Sequence, residues 1–537
     1  MAAAAALLLL KEPRHRRLLL RHQRRPPASS RPAAISSAWT SPTRASPTPC
    51  SIITTGLPNE PQARPYDDTG WTFPEAFNVQ AVRVTDAKVL DLPTELVNGD
   101  VIAPRGVTGQ GSMFAINHNA DNALITLRYK LKDADVQISE EPFESAGVKF
   151  SRGSFIITKA AQADVDKITT ELGLKAIAIP AAPSVKTHPA RAARAAILHQ
   201  WNATQTEGWW RQAFDRTAFP TTTSTRRRSG TPLTCGQSMT SSSSAPAAGR
   251  ERLMGRRSGA LRFRTGIPPR RRTSDLGATD DTRIGMGLVG LMHLKSFIDA
   301  GGVFIGSNST ADFAIANNFS YGVTANRPAA TTRVVGSLLR TKLVDTTSPV
   351  VYGVQDNLAM YSDSGGSFSV SAHVGGGGRG AGGDAPAGGG RGGGPGARAT
   401  GRGTPDDPDV VQGHLANEGT NLSPLPPPQT VQPWQYALPT DEQLKRNPAA
   451  LIPPQFRPRV AVRFDAQNTL LVSGLLDGGA DIAQRPVVVD VPVGKGHVAL
   501  FANNPIYRGE TIGSYFMVFN TILNFDNLDA GRKLDEK

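Results

Sequence analysis

Two stretches of the chain, residues 1–56 and 221–275, do not read like evolved protein, and any folded core has to be built from the sequence around them. The second is rich in Arg, Ser, Thr, Gly and Pro and has neither helical nor strand periodicity. Eight Arg and one Lys face only Glu12 in the first stretch, and twelve Arg face only Glu251 and Asp275 in the second. They therefore contribute about +8 and about +10 to a formal charge of +14, leaving the rest near −4. Both cysteines, Cys50 and Cys235, also fall inside them. This bias is what a GC-rich gene yields when it is read one nucleotide out of frame. Natural disordered linkers, a targeting segment and an Arg-rich nucleic-acid arm are the alternatives. The targeting reading fits poorly, since no basic residue precedes the apolar run 2–10 and the Arg richness recurs deep in the chain. No aromatic interleaving supports a nucleic-acid arm, so no nucleic-acid partner is inferred from the high pI.

The remaining sequence has room for two or three domains. Without cysteines outside the odd stretches, disulfides and thiolate metal sites have no support. No apolar run approaches the roughly eighteen residues that span a bilayer, so no membrane span is expected. Residues 57–185 read as a small, β-rich α+β domain. Its predicted strands lie at 80–84, 111–117, 123–129, 136–138 and 154–158, followed by a helix at 162–172 that Gly173 stops. Residues 186–533 read as an open α/β domain, interrupted by 221–275 and by a Gly/Pro-rich insertion at 375–430. There a strand at 195–199 leads to a helix at 206–215, and a helix at 287–300 leads to a buried strand at 303–306 and a helix at 311–317. Strands at 460–464, 469–473, 487–491 and 497–502 precede a closing helix at 513–525, with Gly494-Lys495-Gly496 as a hairpin turn. If 221–275 is out of frame, an interior strand of this sheet should be missing.

None of the nine histidines has Glu three residues later, as a carboxypeptidase-type zinc site requires; His118 with Asp121 comes nearest, in an Asn/Asp-rich turn. The turn after strand 303–306 carries Ser307 and Ser309, but the second glycine of Gly-x-Ser-x-Gly is missing, so capping and turn formation explain both serines. Ligands of open α/β sheets lie beyond the carboxyl ends of the strands. By that rule Glu207, Ser307, Ser309, Asp477 and Asn503 mark where a vestigial pocket would be, and no residue is assigned a catalytic, cofactor-binding or metal-binding role.

Several blocks carry a resemblance: His188-Pro189-Ala190-Arg191, Thr204-Gln205-Thr206-Glu207-Gly208-Trp209, Asp280-Asp281-Thr282-Arg283, Leu471-Val472-Ser473-Gly474-Leu475 and Asn503-Asn504-Pro505-Ile506-Tyr507. With Pro65-Tyr66-Asp67-Asp68-Thr69-Gly70-Trp71, they resemble the C-terminal half of large bacterial zinc carboxypeptidase family proteins over roughly 57–220 and 276–533. In that family a carboxypeptidase A-like domain precedes an accessory region whose last part is similar to class I glutamine amidotransferases. The resemblance implies an open three-layer, Rossmann-like α/β domain after the α+β domain. It also implies zinc only in a peptidase domain upstream of residue 57, and a secreted or periplasmic location, although no signal peptide is recognisable. The amidotransferase Cys has no counterpart on the turn after strand 303–306.

The expected function is therefore that of a non-catalytic accessory region of a metallocarboxypeptidase-like protein. Two alternatives stand beside it. One is a binding module for a peptide, small ligand or cell-wall fragment near Glu207 and Asp477, and the other is a hydrolase using Ser307 or Ser309.

Overall fold

A computed structural model describes residues 72–79, 103–199, 204–225, 287–329, 332–354, 358–373, 440–447 and 451–534, with short strands at 7–10, 35–37, 94–96 and 237–241 and a few single residues. The predicted strand 80–84, the insertion 375–430, both cysteines and the block 280–283 lie outside these residues. It is an α/β protein with two principal sheets.

The first sheet has six strands in the order Thr187–Pro189, Asp135–Ser139, Phe155–Thr158, Met113–Ile116, Lys175–Ile179, Gly106–Thr108. Its apolar residues split by strand alternation. Phe114, Ile116, Phe155, Ile157 and Ala176 face the main core, whereas Ala115, Ile156, Ile177 and Ile179 pack with the hairpin residues Phe143 and Phe150. The helix Gln162–Glu171 ends where predicted, with Gly173 at φ 68°.

The segment predicted as a strand at 123–129 is instead the helix Ala123–Lys130. Asp121 starts it, accepting the Ala123 N–H on Oδ1 and the Leu124 N–H on its carbonyl. The helix buries Leu124, Ile125, Thr126, Leu127 and Arg128 in succession, so it has no polar face to create a helical period.

The second sheet has ten strands. Five parallel strands come first: Thr221–Thr225, Arg194–His199, Gln237–Ser241, Val303–Ser307 and Gly496–Phe501. The antiparallel strands Pro486–Val493, Arg459–Phe464, Arg333–Leu343 and Ala359–Ser362 continue it, and Leu471–Asp477 also pairs with Arg333–Leu343. Gly494, at φ 62°, begins the two-residue turn between the strands that end at Val493 and begin at Gly496.

The interior position expected to be missing is filled. The backbone of Gln237–Ser241 lies parallel between Arg194–His199 and Val303–Ser307, so the N–H and C=O groups facing the gap are paired. Backbone pairing of this kind requires extended chain and no particular side chains, which is how an Arg/Ser/Thr-rich stretch can supply it. Within 1–56, Leu7–Leu10 pairs antiparallel with Ile35–Ser37, and its other edge pairs with Thr94–Leu96.

One hydrophobic core runs through both principal sheets. A polar seam accompanies it along the closing helix Tyr515–Leu523, all nine residues of which are buried. His118 Nδ1 accepts the Ala120 N–H at 3.1 Å, which leaves Nε2–H to donate to Asn520 Oδ1 at 2.8 Å. Asn520 Nδ2 in turn donates to the carbonyls of Val350 and Tyr352. The ring nitrogens of His188 face Glu140 Oε1 at 3.2 Å and Asn524 Oδ1 at 2.7 Å. Among the described residues no helix is long and apolar enough to cross a membrane.

Candidate functional site

The site is built where the fourth of the five parallel strands ends. Val303–Ser307 is buried along its whole length, and Ser307 is in register with Phe501 of the neighbouring strand. The chain then reverses into the helix Ser309–Ala316 through Asn308, at φ 52° and ψ −126°. A non-glycine residue held in such a sparsely populated region costs about 1–3 kcal/mol. Asn308 is fastened on three sides. Its N–H donates to the Phe501 carbonyl at 2.9 Å, its carbonyl accepts the Asp312 N–H at 3.1 Å, and its Nδ2 donates to Asp363 Oδ2 at 3.3 Å. Gly306 lets the helix close on the strand, since a Cβ there would lie 3.2 Å from the Ala311 nitrogen.

This is the strained strand–turn–helix geometry of a nucleophile elbow. Its tip carries a carboxamide, which is neither a nucleophile nor a base at neutral pH. The two serines singled out in the sequence flank the tip. Ser307 is the 2 % exposed last residue of the strand, and Ser309 Oγ is buried without a hydrogen-bond partner. Capping therefore does not explain Ser309: the helix begins at residue 309, two residues earlier than predicted from its apolar spacing, with no side-chain cap.

A cleft of about 210 Å³ opens at this turn. Asn308 and Asp312 form one wall; Asn326, the last residue of the strand Val323–Asn326, and Arg327 form a second; Ser364, Ser367 and Phe368 form a third. Asn326 and Ser367 are opposite one another in an antiparallel pair. Arg327 makes an ion pair with Asp312, whose carboxyl is pushed up by burial while the guanidinium pulls the other way. Asn503 braces the third wall from behind. Its Oδ1 accepts the Ser362 hydroxyl at 2.7 Å and its Nδ2 donates to the Gly366 carbonyl at 3.0 Å. A Cβ on Gly366 would come within 2.7 Å of the Ala502 carbonyl oxygen.

The other marked residues are dispersed. Glu207 sits in the first turn of the helix Thr204–Arg216, 7 % exposed, with Arg211 Nε 3.7 Å from an Oε1 that has no hydrogen-bond partner. It is not among the residues lining the cleft. Trp210, three residues on, donates to Asn504 Oδ1 at 3.1 Å, and Trp209 packs edge-on against Tyr507. Asp477 ends its strand opposite Arg333, one residue from the cleft residue Thr332 but outside the lining. The cleft beside Asn308 is thus lined by neither Glu207 nor Asp477. Its signal was present: counted from Gly306, the reactive position of Gly-x-Ser-x-Gly falls on residue 308.

The histidine nearest to a zinc motif, His118, is instead a seam residue, held by Asn520 and kept neutral down to about pH 4 by burial. Among the described residues no three His, Cys, Asp or Glu side chains gather as metal ligands.

No protein-family model matches the chain, and no curated protein matches it. Among solved structures, a ThuA-like protein from Bacteroides uniformis is 8 % identical, with 64 % of this chain and 97 % of that chain covered and a TM-score of 0.29. A cytoplasmic protein from Salmonella typhimurium is 8 % identical over 62 % of this chain and 98 % of that one, with a TM-score of 0.26. A GH42 beta-galactosidase is 9 % identical over 69 % of this chain and 33 % of its own, also with a TM-score of 0.26. The fold is accordingly read from its own strand order.

Proposed function

We propose that this chain is a non-catalytic accessory region of a zinc carboxypeptidase-like protein, and that its α/β part, of the three-layer amidotransferase-like kind, holds a small ligand in the cleft beside Asn308. The observation that carries the binding reading is the carboxamide at the tip of a strained elbow. The strain is maintained, a cleft lies in front of it, and no nucleophile stands there. Support for the peptidase association comes from the sequence blocks at 188–191, 204–209, 471–475 and 503–507. No zinc chemistry is assigned to the residues described.

Ligand-observed NMR on a mixed small-molecule library tests the binding reading. Compounds that bind the intact chain should be released by Ala329→Trp, which fills the cleft from an exposed position on its rim. Binding that ignores this substitution, or an absence of any bound compound, would remove the reading. A fluorophosphonate probe separates it from the hydrolase alternative, since labelling of Ser307 or Ser309 would establish a nucleophile that the elbow geometry does not supply.

A further inference from the structure

Resting on the cleft as a binding site, we infer that its ligand class is a neutral, polyhydroxylated ring, a single sugar unit. Charge argues first. The ionised residues lining the cleft are Asp312 and Arg327, and they neutralise each other. Asp363 at the rim, bonded to Asn308, adds a negative charge that disfavours an anion. Both oxygens of Asp363 already accept a hydrogen bond, Oδ2 from Asn308 and Oδ1 from Ser364 at 2.8 Å.

Hydrogen-bond capacity argues next. Ser364 lines the cleft from an exposed position, and its hydroxyl, which donates to Asp363 Oδ1, keeps its lone pairs to accept from a ligand hydroxyl. Asn326 commits an Nδ2 proton to Ser369 Oγ at 2.7 Å and retains its carbonyl oxygen as an acceptor. Asp312 and Arg327, joined through one oxygen and one terminal nitrogen, leave an acceptor and donors side by side, the arrangement that two vicinal hydroxyls match. Pro328 and Ala329, both accessible lining residues, supply apolar surface for the C–H face of a ring. At about 210 Å³ the space is smaller than the roughly 300 Å³ at which drug-sized pockets begin, so one ring fills it.

The test titrates the full chain with D-glucose and D-galactose, and with D-glucuronate and D-glucosamine as rings of similar shape carrying one negative or one positive charge. A neutral hexose should bind with Ala329→Trp abolishing the signal, and both charged rings should bind at least fivefold more weakly. Asn326→Ala should weaken the hexose about three- to tenfold, the loss of one hydrogen bond, and cost the sugar-free protein little, because the bond from Asn326 to Ser369 is exposed. Preference for glucuronate or glucosamine would overturn the inference. So would a cleft that binds other library compounds but no sugar, and in that case the binding reading survives. If nothing of any class binds, both fall together.

Discussion

Asn308 Nδ2 donates to Asp363 Oδ2 at 3.3 Å, which ties the elbow at the end of Val303–Ser307 to the loop that follows Ala359–Ser362. Two segments more than fifty residues apart, which line different walls of the cleft, are thereby joined. The Asn503 bonds to Ser362 and Gly366 hold the same loop from the other side. The cleft is a rigid feature of the sheet's carboxyl edge, and its parts respond to substitution in ways that separate strain from packing.

Asn308→Gly should change stability by less than about 1 kcal/mol, because relief of the positive φ offsets the lost bond to Asp363. Asn308→Val should destabilise by about 1–3 kcal/mol, since a β-branched residue tolerates this region least. Urea denaturation of the two variants measures the difference, and equal stabilities would mean that the turn is not held at this conformation.

Stability should peak near neutral pH, with the two limbs belonging to different histidines. Burial pushes His118 down to about 4. Its contribution is therefore complete above the unfolded value near 6.5 and is lost as pH falls from there through about 4. For His497, burial opposes the charged form, but Asp490 at 3.0 Å and Asp529 at 3.5 Å outweigh it and push the imidazole up to about 9. That contribution is complete below about 6.5 and is lost as pH rises through about 9. In denaturant titrations across pH, His497→Gln should flatten the alkaline limb and leave the acid limb in place.

Asn520→Ala should cost about 2–4 kcal/mol, since it strands the His118 Nε2–H and the carbonyls of Val350 and Tyr352 in a buried seam. Because the seam joins the two sheets, both should unfold in one transition in the native chain. Differential scanning calorimetry of the variant should show whether that single transition splits.

Gly353→Ala should be among the most damaging single changes. Its φ is 77°, and an added Cβ would lie 2.0 Å from His118 Nδ1. The soluble yield and thermal midpoint beside Gly147→Ala, where a Cβ would meet nothing within 4 Å, give the comparison, because both glycines have positive φ.

The legible parts of the fold were those whose burial is continuous or alternates. Val303–Ser307, Pro486–Val493 and Gly496–Phe501 are apolar runs bounded by glycine or proline, and the structure has strands there. Ala123–Lys130 was misread because its β-branched residues are buried all round, and only tertiary packing selects helix over strand there. The cleft was less legible still. Asn326 meets Ser367 through a strand pairing across forty residues, and Asp312 meets Arg327 past the end of its helix and the strand Val323–Asn326, so neither wall has a local signature. Asn503, marked in the sequence as a ligand-facing residue, is instead a brace behind the wall, and its role depends on a loop about 140 residues away.

Cysteine scanning of the elbow in a Cys50→Ser, Cys235→Ser background tests the central claim most directly. We expect Asn308→Cys to be alkylated stoichiometrically by iodoacetamide in the folded protein, because residue 308 lines the open cleft, and Ser307→Cys to stay unlabelled at its 2 % exposed position. Labelling at 307 with silence at 308 would contradict the elbow and remove the cleft built on it.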